Sequence, residues 1–307
     1  MENRKIIIYI TAIMLFLTII FAVNIQEEKN NKINIVTSFY PVYIATLNIT
    51  DGVENVEVSN LTNQTVGCIH DYVLTTSEMV KLAKADAIVI NGAGMENFME
   101  KVITNFNTIE IIDSSKDVEI IQALDCDSDH HLHEGHSHET NPHIFVSVKN
   151  YIKQVENISK EVIKLDPQNK ERYELNTIKY IAKLNKLNKE IEENVKLIEN
   201  KKIISFHNTF EYFAKDYGFE IVGTIESEHG KTPNATEIAK LIKKIKDENI
   251  QAIFVEPEYN LKLVETIVKE TGCKIYKLNP ITSGENDKEE YINIMKDNLK
   301  VLKEALS

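Results

Sequence analysis

Gln168 to Glu199 reads QNKERYELNTIKYIAKLNKLNKEIEENVKLIE, a run without proline or glycine. Its apolar residues Tyr173, Ile178, Ile181, Leu184, Leu187, Ile191, Val195 and Ile198 recur at threes and fours, the spacing of one face of an α-helix. The pattern predicts a single helix of about 30 residues, on the order of 45 Å long. Asp166-Pro167 ends the preceding helix and starts this one, since proline fits the first helical turn and not a helix interior. A helix of this length could be a coiled-coil partner. Standing alone in mid-chain, it reads better as a spine between two lobes.

The segments on either side support the spine. Before it, strand candidates at Ile33–Thr37, Val56–Leu61, Ala87–Ile90 and Ile109–Ile112 alternate with helix candidates at Val42–Ile49, Thr76–Ala83 and Met95–Ile103. Met79, Leu82 and Ala83 are expected to face inward. A further helix, Ser147–Leu165, carries Ile152, Val155, Ile158 and Val162 on one stripe. After the spine the alternation restarts. Strands are predicted at Lys202–Ser205, Glu220–Thr224, Ala252–Val255 and Lys274–Leu278, with helices at Thr209–Tyr217, Ala235–Glu248, Leu261–Thr271 and Glu289–Ala305. Strand–helix alternation of this kind builds parallel sheets covered by helices. The predicted class is α/β: two lobes, each a parallel sheet flanked by helices, joined by one long backbone helix. The expected divisions are 1–31, an N-terminal segment and linker; 32–167, the first lobe; 168–200, the linking helix; and 201–307, the second lobe.

With 307 residues the chain is long enough for two domains with their own cores. The net charge of −12 argues against nucleic acid or anionic lipid as partner, because both require a basic surface, and is compatible with cations. At the N-terminus, Arg4-Lys5 precede an apolar run from Ile6 to Val23, and Glu27-Glu28 follow. That order is the mark of an export signal. The run sits at the short limit for spanning a bilayer. No small-residue cleavage site stands out near Ala22-Val23-Asn24 and no cysteine follows to carry a lipid, so an uncleaved anchor is favoured over a cleaved signal peptide. The expected location is extracytoplasmic, tethered to or secreted across the cytoplasmic membrane. Three cysteines, Cys68, Cys126 and Cys273, leave at least one thiol unpaired within the molecule, and unpaired, unligated thiols are expected.

Six of the nine histidines lie between Asp125 and Phe145: His130, His131, His133, His136, His138 and His143. The first five stand among acids, Gly and Ser in a stretch, 125–141, with almost nothing to bury, so they belong to a solvated loop rich in imidazole. Neutral imidazole suits zinc, copper, nickel and iron. His143 differs, since it follows Asn141-Pro142 and precedes the apolar Ile144-Phe145-Val146, where the loop re-enters the fold. His70 lies in a loop of the first lobe and His207 lies just past a strand of the second. Ligands of open α/β sheets bind beyond the carboxyl ends of the strands. A cleft between the lobes could gather these three, and three neutral imidazoles plus one oxygen make a tetrahedral zinc site. His229, between Glu228 and Gly230, reads as a solvated loop residue.

Seven stretches, in this order and spacing, carry a resemblance: Thr37-Ser38-Phe39-Tyr40-Pro41; His70-Asp71-Tyr72 with Thr75-Thr76-Ser77-Glu78; Ala85-Asp86 through Asn91-Gly92-Ala93-Gly94-Met95-Glu96; Asn141-Pro142-His143-Ile144-Phe145; Phe206-His207-Asn208-Thr209-Phe210-Glu211-Tyr212-Phe213; Glu256-Pro257-Glu258; and Leu278-Asn279-Pro280. From about Ile33 to Ala305 the chain resembles the zinc- and manganese-binding solute receptors of bacterial ABC importers. The resemblance implies that His70, His143 and His207 are metal ligands, that the partner is the permease of the cognate importer, and that the protein is a monomer. Manganese-type receptors offer a carboxylate at the place of His207, so imidazole there favours zinc, carried as cargo. The histidine-rich loop is also a trait of zinc-type receptors and reads as a weak outer site that collects or passes on metal.

The chain departs from the family pattern at the fourth ligand. Many members place an aspartate where Asn279 stands; others place a glutamate at the position of Thr282 or of Ile69. The fourth position is therefore open between water, Asn279, Glu228 and Glu285. The resulting expectation is a capture-and-deliver protein with no catalytic residues. Rival readings are a manganese-type receptor, a zinc hydrolase and a surface adhesin on the same fold. A catalytic zinc would need a general base beside the metal, and no H-E-x-x-H is present.

Overall fold

The computed structural model describes residues 13–14, 32–62, 72–99, 102, 109–122, 140–225, 233–257 and 262–306. Nearly all of the N-terminal apolar run, the histidine-rich stretch 123–139, His70, His229, Glu228, Cys68 and Cys126 lie outside these residues. Four strands, β1 (Ile33–Thr37), β2 (Val56–Asn60), β3 (Ala87–Ile90) and β4 (Glu110–Asp113), form a parallel sheet in the order β2-β1-β3-β4. Four more, β5 (Lys202–Ser205), β6 (Glu220–Thr224), β7 (Ala252–Val255) and β8 (Lys274–Lys277), form a second in the order β6-β5-β7-β8. The central strands β3 and β7 read AIVI and AIFV, continuous apolar runs suited to burial on both faces. In each sheet the chain reverses its direction of winding between the first strand and the third. The crevice beyond the carboxyl ends of those two strands is where such sheets take ligands.

The helices are α1 (Tyr40–Ile49), α2 (Thr76–Leu82), α3 (Val148–Leu165), α4 (Lys170–Val195), α5 (Glu211–Tyr217), α6 (Ala235–Asp247), α7 (Lys262–Thr271) and α8 (Glu290–Leu306). The spine is α4, 26 residues long and preceded by a short 3-10 turn at Pro167–Asn169. Its buried face is Tyr173, Asn176, Thr177, Tyr180, Leu184, Leu187, Ile191 and Val195. Ile178, expected on that face, is 67 % exposed, because it stands one residue, about 100° of helix, beyond Thr177. Ala83 is likewise exposed, and buried Glu78 takes an inward place through the capping box it makes with Thr75. Of the expected helix Met95–Ile103, the described residues show a single 3-10 turn at Asn97–Met99 and helical Val102.

The two lobes share much of their core. Buried Phe39, Ile44, Phe145 and Val155 of the first half cluster with Ile203, Phe213, Phe254 and Leu278 of the second, with α4 residues Leu184 and Ile191 between them. Helix α1 is buried nearly all round, as its mostly apolar sequence allows, and its buried Thr46 and Asn48 donate to the Val42 and Ile44 carbonyls one turn back. The closing helix α8 crosses back to the first lobe. Tyr291 stacks on Tyr151 with ring centroids 3.7 Å apart, and its hydroxyl donates to the Phe145 carbonyl at 2.9 Å. The outer face of the second sheet has a core of its own, built on Ile204, Val222, Ile253, Val264 and Ile267.

Candidate metal centre

His207 follows β5 by two residues. Phe206 extends the strand by donating its N–H to the Phe254 carbonyl at 2.8 Å, and Ser205 Oγ donates to the His207 carbonyl at 2.6 Å. The His207 ring is then in place at the crevice of the second sheet, 4 % exposed. Directly across the crevice, Glu256 follows β7 and is 2 % exposed. Its Oε1 lies 2.6 Å from His207 Nδ1 and accepts from Thr209 Oγ1 at 2.9 Å. A carboxylate oxygen only accepts, so Nδ1 of His207 carries the proton and Nε2 the lone pair; Thr209 Oγ1 lies beside both ring nitrogens, 2.9 Å from Nδ1 and 3.0 Å from Nε2.

His143 arrives by a different route. The residues Ile144–Val146 form a 3-10 turn, and Ser147 caps α3 by accepting from Asn150 N at 3.1 Å. Asn91, at the end of β3, donates its side-chain N–H to the Pro142 carbonyl at 2.9 Å and so fastens this approach to the first sheet. Asn91 is held in turn by Gln154, whose Nε2 donates to Asn91 Oδ1 at 2.9 Å, and by buried Glu96, which accepts from Asn91 N at 2.7 Å, Gly92 N at 3.0 Å and Ser38 Oγ at 2.7 Å. Burial pushes the Glu96 carboxyl up to about 7 against the pull of these three donors. Gly92 permits the close approach: its φ is +78°, and a Cβ there would stand 2.0 Å from Asp113 Oδ1.

The His143 and His207 rings, one from each lobe, meet edge to face, with centroids 5.1 Å apart and planes at 87°. Two imidazoles bound through Nε2 at Zn–N distances near 2.05 Å and a tetrahedral angle would have centroids about 5.2 Å apart. The centroid separation of the described pair matches that value, and it is also the spacing of an ordinary edge-to-face ring contact. His143 Nδ1 lies 2.9 Å from Asn141 Oδ1.

Of the three histidines singled out in the sequence, these two come together; His70 lies outside the described residues. Among the described residues no three His, Cys, Asp or Glu side chains gather as a metal-binding group. Asn279 is described, and its Oδ1 accepts from Ile281 N at 2.8 Å, closing a turn in which Ile281 has φ +66°. Glu285 is exposed, and its carbonyl accepts from the Tyr40 hydroxyl. Cys273 is a buried free thiol that donates to the Ile250 carbonyl at 3.0 Å. The roles of Glu256, Asn141 and Glu211 were not assigned from sequence. Glu256 had a usable signal, an acid directly after the apolar strand AIFV at a carboxyl end.

Comparison with known proteins bears directly on this geometry. The profile of the periplasmic zinc-uptake complex component A family, ZnuA, matches residues 35–305. The chain belongs to the ZnuA family. The high-affinity zinc uptake system protein ZnuA of Bacillus subtilis is 32 % identical over 289 residues, 91 % of this chain and 89 % of that protein. The zinc-binding lipoprotein AdcA of Streptococcus pneumoniae is 32 % identical over 291 residues, 91 % of this chain and 57 % of AdcA, so the chain spans little more than half of that relative's length. The Zn(II)-bound ZnuA-like domain of AdcA superposes with a TM-score of 0.72 at 30 % identity, over 90 % of this chain and 99 % of the domain. The two-lobed α/β architecture with its long helix is thus the ZnuA fold.

Proposed function

We propose that this ZnuA family member is an extracytoplasmic zinc receptor that captures the ion between its lobes and delivers it to the membrane permease of an ABC importer. His143 and His207 would bind the ion through Nε2, with His70 as a third ligand from the first lobe. The single observation that carries this reading is the meeting of two buried imidazoles from opposite lobes at 5.1 Å. His207 presents Nε2 as the lone-pair nitrogen because the Glu256 carboxylate accepts from Nδ1, and His143 does so because its Nδ1 faces the Asn141 carboxamide oxygen. Membership of the ZnuA family and the zinc named in its relatives support the choice of metal. Imidazole also supports it, since an all-histidine set suits zinc better than manganese. The zinc is cargo, and the relatives are transport proteins. The proposed division is a first lobe over 32–167, a linking helix over 168–200 and a second lobe over 201–307, with the segment before residue 32 directing export.

The test is metal analysis of protein purified without chelator. Close to one equivalent of zinc is expected, and its loss in His207→Ala. Zinc affinity is also expected to fall between about pH 7.5 and pH 5, because a protonated imidazole cannot ligate. Affinity unchanged over that range would overturn histidine ligation. Deleting 125–141 while retaining one tightly held zinc would separate the cleft from the histidine-rich loop.

A further inference from the structure

Asn141 is fully buried, and every polar atom it owns is engaged. Its Oδ1 lies 2.9 Å from His143 Nδ1 and accepts from His143 N at 2.9 Å. Its Nδ2 donates to two groups of the opposite lobe, the Asn208 carbonyl at 2.9 Å and Glu211 Oε2 at 2.9 Å. Its backbone N–H donates to the Ile121 carbonyl at 3.0 Å, and its carbonyl accepts from the Tyr212 hydroxyl at 2.7 Å. One asparagine therefore touches the His143 ring on one side and α5, with the turn before it, on the other.

The partners fix which way round the carboxamide lies. Turned over, its oxygen would face a carbonyl and a carboxylate, and its NH2 would face the His143 N–H, leaving buried donors and acceptors unmatched. With the oxygen held toward His143, the proton between them belongs to the ring, because a carboxamide oxygen cannot donate. The ring is thereby held as the Nδ1–H tautomer, with the Nε2 lone pair left to bind a metal. Two acceptors on the second lobe, together with the His143 backbone N–H, thus hold the carboxamide in the orientation that sets the tautomer of the ring.

We propose that Asn141 is the positioning residue of the metal centre, and that through it Glu211 and Asn208 of the second lobe tune the zinc affinity of His143 without touching the metal. This inference rests on the reading of His143 as a ligand. It distinguishes the two halves of the site chemically: His207 is backed by an anion, and His143 by a neutral amide that needs the opposite lobe to aim it.

The test exchanges the two groups. Asn141→Asp keeps an acceptor for His143 but sets its second oxygen against the Asn208 carbonyl and the Glu211 carboxylate. That repulsion turns the side chain away from the ring, and zinc affinity is expected to drop about tenfold or more, as when the partner of a ligand histidine is lost. Glu211→Gln alone still offers an oxygen to Asn141 and is expected to change affinity by less than about threefold, well short of that range. In the double variant the amide introduced at position 211 donates to the carboxylate introduced at position 141, and most of the lost affinity is expected to return. Affinities would come from competition with a chromophoric chelator, alongside urea unfolding of each zinc-free protein. Imidazole 15N NMR of the zinc-free wild-type protein supplies a readout that a purely structural role would not move, with His143 protonated at Nδ1. Protonation at Nε2 there overturns the proposal, as does wild-type affinity in Asn141→Asp or failure of Glu211→Gln to rescue a folded Asn141→Asp. Wild-type affinity in His143→Ala would instead overturn the ligand reading. A loss there with no effect of Asn141→Asp would overturn the positioning role alone.

Discussion

In the second sheet, the two strand ends that flank the crevice carry the chemistry directly: His207 follows β5 and Glu256 follows β7. In the first sheet the corresponding ends, after β1 and β3, carry Ser38 and Asn91, and both serve as scaffolding around Glu96. The first lobe's imidazole is brought in from the connection ahead of α3. Two sheets of the same strand order thus supply a ring to one cleft by different means. His207 is positioned within its own sheet by a buried anion. His143 is positioned by a carboxamide whose other side is held by the opposite lobe. The second half of the site is self-contained, and the first half depends on the lobes being together.

The largest expected effect would break this comparison if it were unequal. Structural zinc sites bind with an apparent 10–16 kcal/mol, so one of about four ligands is worth roughly 2.5–4 kcal/mol. His143→Ala and His207→Ala are each expected to weaken zinc by about a hundredfold to a thousandfold. Chelator competition measures both. Wild-type affinity in either variant would remove that ring from the site and leave the contrast between its two supports without a bearing on zinc.

Glu256→Gln sharpens the contrast at the next level. The amide can still accept from His207 Nδ1 through its oxygen, but the negative charge that raises the basicity of the ring is gone. Zinc affinity is expected to fall by about ten- to a hundredfold. Because Glu256 and His207 belong to one sheet, no substitution on the first lobe should restore the loss. A rescue from the first lobe would show that the second half is not self-contained.

The fold was legible where periodicity was strong. The spine, the two sets of alternating strands and the closing helix all follow from spacing alone, and the error at Ile178 is one residue of helical phase. The short helix expected over Thr76–Ala83 is α2, capped by Thr75, and its inward acid is Glu78. The site was legible in part. His143 and His207 stood out by placement, His207 just past an apolar strand and His143 where the loop re-enters the fold, and by the family resemblance that implies both as ligands. Asn141 and Glu211 did not, since neither residue type points to metal and their contact joins positions seventy apart in sequence. Such a pairing arises from the docking of the lobes, which no local pattern encodes. Asn279 shows the converse. The resemblance leads to the expectation of an acid at this position, and the side-chain oxygen of Asn279 accepts from the Ile281 N–H within its own turn.

The smallest effect belongs to the first lobe alone. Glu96 has three donors that favour its carboxylate and burial that opposes it, and burial prevails, lifting its pKa from 4.5 to about 7. Between those values the folded chain keeps a proton that the unfolded chain has lost. The contribution of Glu96 to stability is therefore greatest below pH 4.5 and declines as the pH rises toward 7. A shift of this size bounds the decline at roughly 3 kcal/mol. Glu96→Gln abolishes the titration, although its amide would set an NH2 group against one of the three donors and lower stability at acidic pH. Urea unfolding of both proteins at a series of pH values from about 5 to 8 is expected to show the wild type losing stability relative to the variant as the pH rises. Parallel curves would mean that the hydrogen bonds from Ser38, Asn91 and Gly92 outweigh burial. In that case the turn leading to His143 would be anchored by an anion after all, and the first lobe would resemble the second more closely than the contrast between Asn141 and Glu256 implies.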